Sequence, residues 1–322
     1  MVASRRGLAA GLLLGVALDA VFADPRRGHP VAAFGAAATR AEAALWADSR
    51  GRGMTMVATC LAPVAAAGLA GQLASGRLSR ARPAASVALT ALATWAVLGG
   101  TSLAREAQAV GRLLEDGDLA AARRRLPALC GRDPDQLDAA GMARAAVESV
   151  AENTSDAVVA PLLWGAVLGL PGLLGYRAVN TLDAMIGHHS PRYERFGWAA
   201  ARLDDVANLI PARVTGLLAA GLAPAVGGSP GHALRILRRD GGQHPSPNAG
   251  RCEAAFAGSL AVQLGGQNVY HGRTERRGLL GDGRPPDAAD IARAVRLSRL
   301  ASAAAAGLAA VIAHTLRRGR KP

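Results

Sequence analysis

The densest run of side chains able to do chemistry is Glu148-Ser149-Val150-Ala151-Glu152-Asn153-Thr154-Ser155-Asp156. On a helix Glu148 and Glu152 share a face, and Asp156 follows one turn later. Three aligned acids with no lysine nearby repel one another unless a cation compensates. A hard divalent ion such as Mg²⁺, held by one or two carboxylates and otherwise by water and phosphate, suits them. The same spacing also fits a solvated helix end on which Asn153, Thr154 and Ser155 form a turn. Two further clusters follow. In Tyr176 to Met185, Asn180 and Asp183 can meet on one helical face, with Arg177 one turn before Asn180. In Phe196 to Arg213, Asp204 pairs with Asn208 and Asp205 lies toward Arg202. Each cluster alone also reads as an ion-paired helix surface. All three abut apolar segments, however, where ionisable groups are costly and usually face a polar interior.

A fourth region holds Ser246-Pro247-Asn248-Ala249-Gly250, then Glu253, then Leu264-Gly265-Gly266-Gln267-Asn268-Val269-Tyr270-His271-Gly272. Glycine-rich turns of this kind can offer backbone N–H groups to an anion, yet neither a P-loop nor a G-x-G-x-x-G pattern is present. The histidines form no metal set: His188 and His189 diverge on a helix, and His29, His232, His244, His271 and His314 are scattered. Cys60, Cys130 and Cys252 make no C-x-x-C, which implies neither a zinc site nor a disulfide framework.

The elements that must position these groups are apolar. A membrane-crossing helix needs about 20 apolar residues, and residues 53–76, 83–104, 157–176, 214–234 and 300–316 supply such stretches, with 7–23 a sixth that contains Asp19. The first two form a hairpin joined by Arg77 to Arg82. Pro161 and Pro171, and Pro224 and Pro230, predict broken or re-entrant helices in 157–176 and 214–234, where irregular backbone has to be buried in protein or line a cavity. Ser4-Arg5-Arg6 followed by 7–23 resembles an export signal, but Asp19 interrupts it and Asp24-Pro25 follows, so a retained helix is the preferred reading. Residues 105–156 read as amphipathic helix around an Arg132-Asp133-Pro134-Asp135 turn, and 235–299 as an Arg-, Gly- and Pro-rich extramembrane region. No strand pattern of period two stands out. The expectation is one all-α domain over 1–322: a polytopic membrane protein of helices with a polar cytoplasmic face.

Composition supports this. Charged residues are 19% and aromatics 3% of 322 residues, while half are hydrophobic and the mean hydropathy is +0.17, which excludes a disordered chain and a disulfide-stapled mini-domain. The net charge of +13 and pI near 11.2 invite a nucleic-acid reading. Lys321 is the only lysine, though, and arginine beside apolar runs also suits the basic cytoplasmic face of a membrane protein, so no nucleic-acid partner is expected.

The clusters recur together in one known pattern. V-E-S-V-A-E-N-T-S-D (147–156), Y-R-A-V-N-T-L-D-A-M (176–185), F-G-W-A-A-A-R-L-D-D-V-A-N-L-I-P-A-R (196–213), S-P-N-A-G (246–250), D-P-x-x-x-H-P-V (24–31) and L-G-G-x-N-x-Y-x-G (264–272) stand in the order found in the CobD/CbiB family, the adenosylcobinamide-phosphate synthases. The chain resembles that family over essentially its whole length. Ala23 stands where the pattern has Gly, and Arg251-Cys252 where it has Trp-Pro. The resemblance implies an integral membrane enzyme of corrin biosynthesis. It would join a propionate carboxyl of adenosylcobyric acid to (R)-1-aminopropan-2-ol or its O-phosphate, with ATP and Mg²⁺, giving adenosylcobinamide or its phosphate. Its setting would be the bilayer of the cell membrane, with room for contact with other membrane enzymes of the pathway.

A carboxylate does not react with an amine at neutral pH. The expected route is phosphoryl transfer from ATP to the propionate and attack of the amine on the acyl phosphate, chemistry that asks mainly for positioning and charge neutralisation. On this reading Glu148, Glu152 and Asp156, with Asp183 or Asp204, hold Mg²⁺, and Arg177, Arg202 and Arg213 bind phosphate groups. Asn153, Asn180 and Asn208 orient substrate amides or phosphate oxygens, with Asn248, Asn268, Asp24 and His29 as further binding candidates. Asp204 or Asp205 takes the amine proton. ATP is cytoplasmic, so the region from Arg105 to Arg299 is expected inside, which leaves the arginines of 77–82 outside against the positive-inside rule. The alternatives are a membrane sensor on the same scaffold, a small-molecule transporter, which would need polar sites at the midplane of several full spans, and a soluble nucleic-acid binder.

Overall fold

The computed structural model describes residues 5–24, 28–188, 190–270 and 273–316. Ser4, Pro25, His189, His271, Gly272 and Lys321 lie outside the described residues. In chain order the elements are α1 (Arg5–Phe22), α2 (Pro30–Leu45), α3 (Arg50–Ala81), α4 (Pro83–Val97), α5 (Gly100–Glu115), α6 (Leu119–Arg125), α7 (Ala139–Thr154), α8 (Ala160–Leu168), α9 (Leu170–Leu182), α10 (Trp198–Gly221), α11 (Pro230–Asp240), α12 (Ala249–Leu260), β1 (Leu264–Tyr270), β2 (Arg273–Leu280) and α13 (Ala288–Thr315). π-Helical turns cover Ser155–Val159 and Asp183–Gly187. Two compact units result: Met1–Gly99, Ala160–Asn208 and Ala305–Pro322 form the first, Gly100–Val159 and Leu209–Ala304 the second.

Three stretches, Arg50–Ser79, Pro83–Glu115 and Ala288–Thr315, are long and apolar enough to cross a membrane, and Gly7–Phe22 is a shorter apolar helix. They contain the expected segments 53–76 and 83–104 and nearly all of 300–316. The two segments expected to be broken are broken. Gly169, at φ 75°, separates α8 from α9, whose first turn carries Pro171. Beyond α10, a 3₁₀ turn at Ala223–Val226 and Gly227 at φ 79° interrupt the chain before Pro230 opens α11.

In the first unit α1 lies along α4. Gly11 and Gly15 face Thr90 and Thr94 so closely that a β-carbon on either glycine would stand 2.5 or 2.3 Å from the threonine Cβ. This is small-residue packing of the kind that lets helices approach closely. Thr90 and Thr94 donate their hydroxyls to carbonyls of their own helix, and Ser75 of α3 bonds Ser86 of α4 at 2.7 Å. Ala23 closes α1 at φ 56°, its carbonyl accepting from Trp95 Nε1 at 2.8 Å. A left-handed helix end favours glycine, which accounts for the glycine of the family pattern there. Around Met56, Leu182, Ile186 and Phe196 a second core joins α2, α3, α9 and the start of α10.

The second unit is built on α12, every residue of which from Cys252 to Leu260 is buried. Val147 and Val150 of α7, Ile236 of α11 and Ile291 and Val295 of α13 share its core. The all-helical expectation is corrected at 264–280, where β1 and β2 pair antiparallel with a bulge at Gly265/Gly266. Two glycines at φ 79° and 85° and a polar second strand hide the alternation that would mark a strand. Here tertiary clamping, not local propensity, makes the hairpin.

Candidate functional site

The 148–156 run is not a solvated helix end. Glu148, Ser149, Thr154 and Ser155 are buried, and the helix continues into the π turn. Glu148 is enclosed: Oε2 pairs with Arg132, itself buried, and Oε1 accepts from the Gly265 N–H at 2.7 Å. One turn earlier on α7, Arg144 donates to the Gly265 carbonyl, to the Gln267 carbonyl at 2.8 Å and to Asn268 Oδ1 at 3.3 Å. Two side chains of α7 thus hold both backbone polar groups of one hairpin residue. A β-carbon on Gly265 would meet the Gly278 carbonyl at 2.1 Å, so the bulge admits only glycine there.

The S-P-N-A-G turn leads into α12. Ser246 Oγ accepts from the N–H groups of Asn248 and Ala249 at the start of α12. His244 Nδ1 accepts from the Ser246 N–H at 3.0 Å, and its Nε2 stands 3.7 Å from Glu253 Oε1. Burial lowers the His244 pKa to about 4, with Arg277 adding to the effect. Burial raises Glu253 well above the ordinary carboxylate range, and Glu148 and Glu152 push the same way against Arg277 and Arg132. Asn153 turns its amide back onto the Ser149 carbonyl at 2.9 Å.

In the first unit a different relay forms. Tyr176 donates to Asn208 Oδ1 at 2.8 Å, Asn208 donates to Asp204 Oδ2 at 2.9 Å, and Asn180 donates to Asp204 Oδ1 at 3.4 Å. The expected Asp204–Asn208 and Arg202–Asp205 pairs are therefore present, the latter at 2.9 Å on the surface. Burial raises the Asp204 pKa, opposed by the two amide bonds. His29 Nδ1 caps α2 at Val31, and its Nε2 lies 4.0 Å from Asp24. Arg177 and Asp183 are half-buried.

Glu148, Glu152, Asn153, Asp156, Arg213, Asn248 and Asn268 fall in the second unit, the remaining expected residues in the first. Arg213 is exposed and donates to the Leu209 carbonyl at 2.7 Å. Among the described residues no three His, Cys, Asp or Glu side chains stand close enough to enclose a metal ion. Mg²⁺ asks for less, commonly one or two carboxylates plus substrate phosphates. Glu152 and Asp156, partly exposed on adjoining turns, are donors of that kind, whereas both oxygens of Glu148 are engaged. Arg132, Arg144, His244, Glu253 and Arg277 were not among the expected site residues. Their partners are remote in sequence, and the only local signal was the position of His244 and Glu253 on either side of S-P-N-A-G.

Buried clusters of carboxylate, guanidinium and amide groups, beside three stretches long and apolar enough to cross a membrane, define a mostly helical protein. The CobD/Cbib protein family is matched over residues 12–298, and the chain belongs to it. The "Cobalamin biosynthesis protein CobD" of Mycobacterium tuberculosis is 56% identical over 309 residues, 96% of this chain and 97% of its own. Proteins of the same name from Geobacter metallireducens and Rhodobacter capsulatus are 46% and 42% identical over 310 and 301 residues, covering 95% and 92% of this chain and 96% and 94% of theirs. No solved structure matches the chain.

Proposed function

We propose that this protein is the membrane enzyme of cobalamin biosynthesis that condenses adenosylcobyric acid with (R)-1-aminopropan-2-ol or its O-phosphate at the expense of ATP. Membership of the CobD/Cbib family over nearly the whole chain carries the assignment to cobalamin biosynthesis. The amide-forming step is the finer reading. The chemistry of the enclosed groups supports it. Phosphoryl transfer to the propionate makes an acyl phosphate, the amine nitrogen attacks its carbonyl carbon, and phosphate leaves as the amide forms. Arg177, Arg202 and Arg213 are the candidates to hold phosphate oxygens. Glu152 and Asp156, and Asp183 in the first unit, are the candidates for Mg²⁺, which when bound neutralises phosphate charge. Burial of the polar clusters keeps water from the activated carboxyl. The amine arrives as an ammonium and must shed a proton, and among the described residues half-buried Asp204 and buried Glu253 have raised proton affinity.

The three apolar stretches support a cell-membrane location, and the need for ATP favours a cytoplasmic active side. The test is direct. Detergent-solubilised protein is incubated with adenosylcobyric acid, ATP, Mg²⁺ and either amine, and the corrinoid is followed by mass. An ATP-dependent gain of the condensed amine is expected. Failure with both amines, in folded protein beside an active control, overturns the ligase reading and favours a sensor or transporter.

A further inference from the structure

Of Asp204 and Glu253, it is Glu253 that is short of partners. Both oxygens of Asp204 accept amide N–H groups, from Asn180 and Asn208. Glu253 is 1% exposed, and its Oε2 has no hydrogen-bond partner. Its Oε1 is 3.7 Å from His244 Nε2, beyond hydrogen-bond reach, and that nitrogen is buried without a partner as well. The tautomer of His244 follows from its other nitrogen. Nδ1 accepts from the Ser246 N–H, so in the neutral ring the proton sits on Nε2. A buried acceptor and a buried donor thus stand side by side, each unused. Buried polar atoms are nearly always satisfied, and such exceptions mark a missing ligand or water.

The charges nearby specify which ligand. Glu148 and Glu152 act on Glu253 as like charges, Arg132 and Arg277 as opposite ones. Arg132 is already paired with Glu148 and Arg277 with Glu275, so an ammonium is the partner that would hold Glu253 ionised despite its burial. A small molecule fits if it pairs an ammonium with an oxygen on the neighbouring carbon, one donating to the carboxylate and the other accepting from the imidazole.

We propose that Glu253 and His244 form the seat of the vicinal amino alcohol, Glu253 accepting from its ammonium and His244 Nε2–H donating to its oxygen, free or esterified. This deepens the ligase reading and rests on it for the identity of the amine. Glu253 then holds the nitrogen and is placed to receive its proton. His244 sits against Gly250, where a β-carbon would come within 2.4 Å of His244 Cβ, so the S-P-N-A-G turn fixes the imidazole.

The test uses the full chain in detergent with 1-aminopropan-2-ol, its O-phosphate and n-propylamine as probes. Without ATP, the amino alcohol or its phosphate should raise the melting temperature of the wild type, and propylamine should not. Glu253→Gln should abolish that shift and raise KM for the amine by about tenfold or more, the scale of one lost charge-assisted hydrogen bond, with KM for ATP and corrinoid unchanged. His244→Met should lose the preference over propylamine, and His244→Gln, which keeps a donor, should recover part of it. If Glu253→Gln fails to fold, the two His244 variants decide. An unchanged amine KM in Glu253→Gln, or an equal rise in all three KM values, overturns the proposal. A wild type that is stabilised by the amino alcohol but makes no product would sink the ligase reading and leave the seat standing.

Discussion

The contact of α1 with α4 can be probed by one methyl group. In Gly11→Ala the new β-carbon would lie 2.5 Å from Thr90 Cβ and 2.7 Å from its Cγ2, against an ordinary carbon contact of about 3.5–4.0 Å, so the helices must part by roughly an ångström. Overpacking of this size costs about 1–3 kcal/mol. Thr90→Gly removes both offending carbons and leaves the Val87 carbonyl at 3.1 Å, which is tight but tolerable. Gly11→Ala/Thr90→Gly should therefore recover much of the loss, with a coupling energy above about 1 kcal/mol. The neighbouring pair behaves differently. In Gly15→Ala the Ala91 carbonyl stands 2.8 Å from the new carbon, and no side-chain change at Thr94 moves it, so Gly15→Ala/Thr94→Gly should recover less. Equilibrium unfolding in detergent micelles measures the single and double variants against wild type. Additive energies at Gly11 and Thr90, or equal rescue at both pairs, would refute the close α1–α4 packing.

Arg132→Met strands the Glu148 carboxylate in the interior of the second unit, and an uncompensated buried charge of this kind should cost about 3–5 kcal/mol in the same unfolding assay. Ala23→Gly should stabilise the protein by about 1 kcal/mol, because alanine at φ 56° carries a left-handed penalty that glycine lacks, and a rise in melting temperature checks it. Asp240 binds Arg239 through both oxygens and accepts from the Gly281 N–H at 2.8 Å, and Arg239 above all holds its carboxyl below the usual range. A lowered folded-state pKa stabilises above the unfolded value and loses that stabilisation as pH falls through the folded one. Asp240→Asn should therefore melt earlier than wild type near pH 7, with the gap closing as the pH falls below the ordinary carboxylate range.

What could be read from the chain before its structure was what repeats locally. The apolar runs, the proline and glycine breaks at 169 and 222–228, and the pairs Asp204–Asn208 and Arg202–Asp205 follow from helical spacing, which a single stretch of sequence contains. The hairpin at 264–280 does not, because its bulge depends on a glycine held by Arg144 and Glu148, more than a hundred residues upstream. His244 and Glu253 carry weak local signals for the same reason. Their meaning comes from the groups that surround them.

Distance in sequence also explains why the enclosed cluster of the second unit concentrates its charge where it does. Arg132, Glu148 and Gly265 come from three separate segments and satisfy one another, so each fixes the others at the cost of desolvation. A pair that only stabilised could be replaced by packed hydrocarbon. Positioning two turns and a helix against one another to within a hydrogen bond requires directional contacts, which hydrocarbon does not supply. The satisfied pair Arg132–Glu148 then serves as the frame, and the unsatisfied pair Glu253–His244 as the part left open for a ligand. On this view Arg132→Met and Glu253→Gln separate cleanly: the first should lower stability and impair every kinetic constant together, the second should raise the amine KM and lower turnover while leaving the KM values for ATP and corrinoid unchanged.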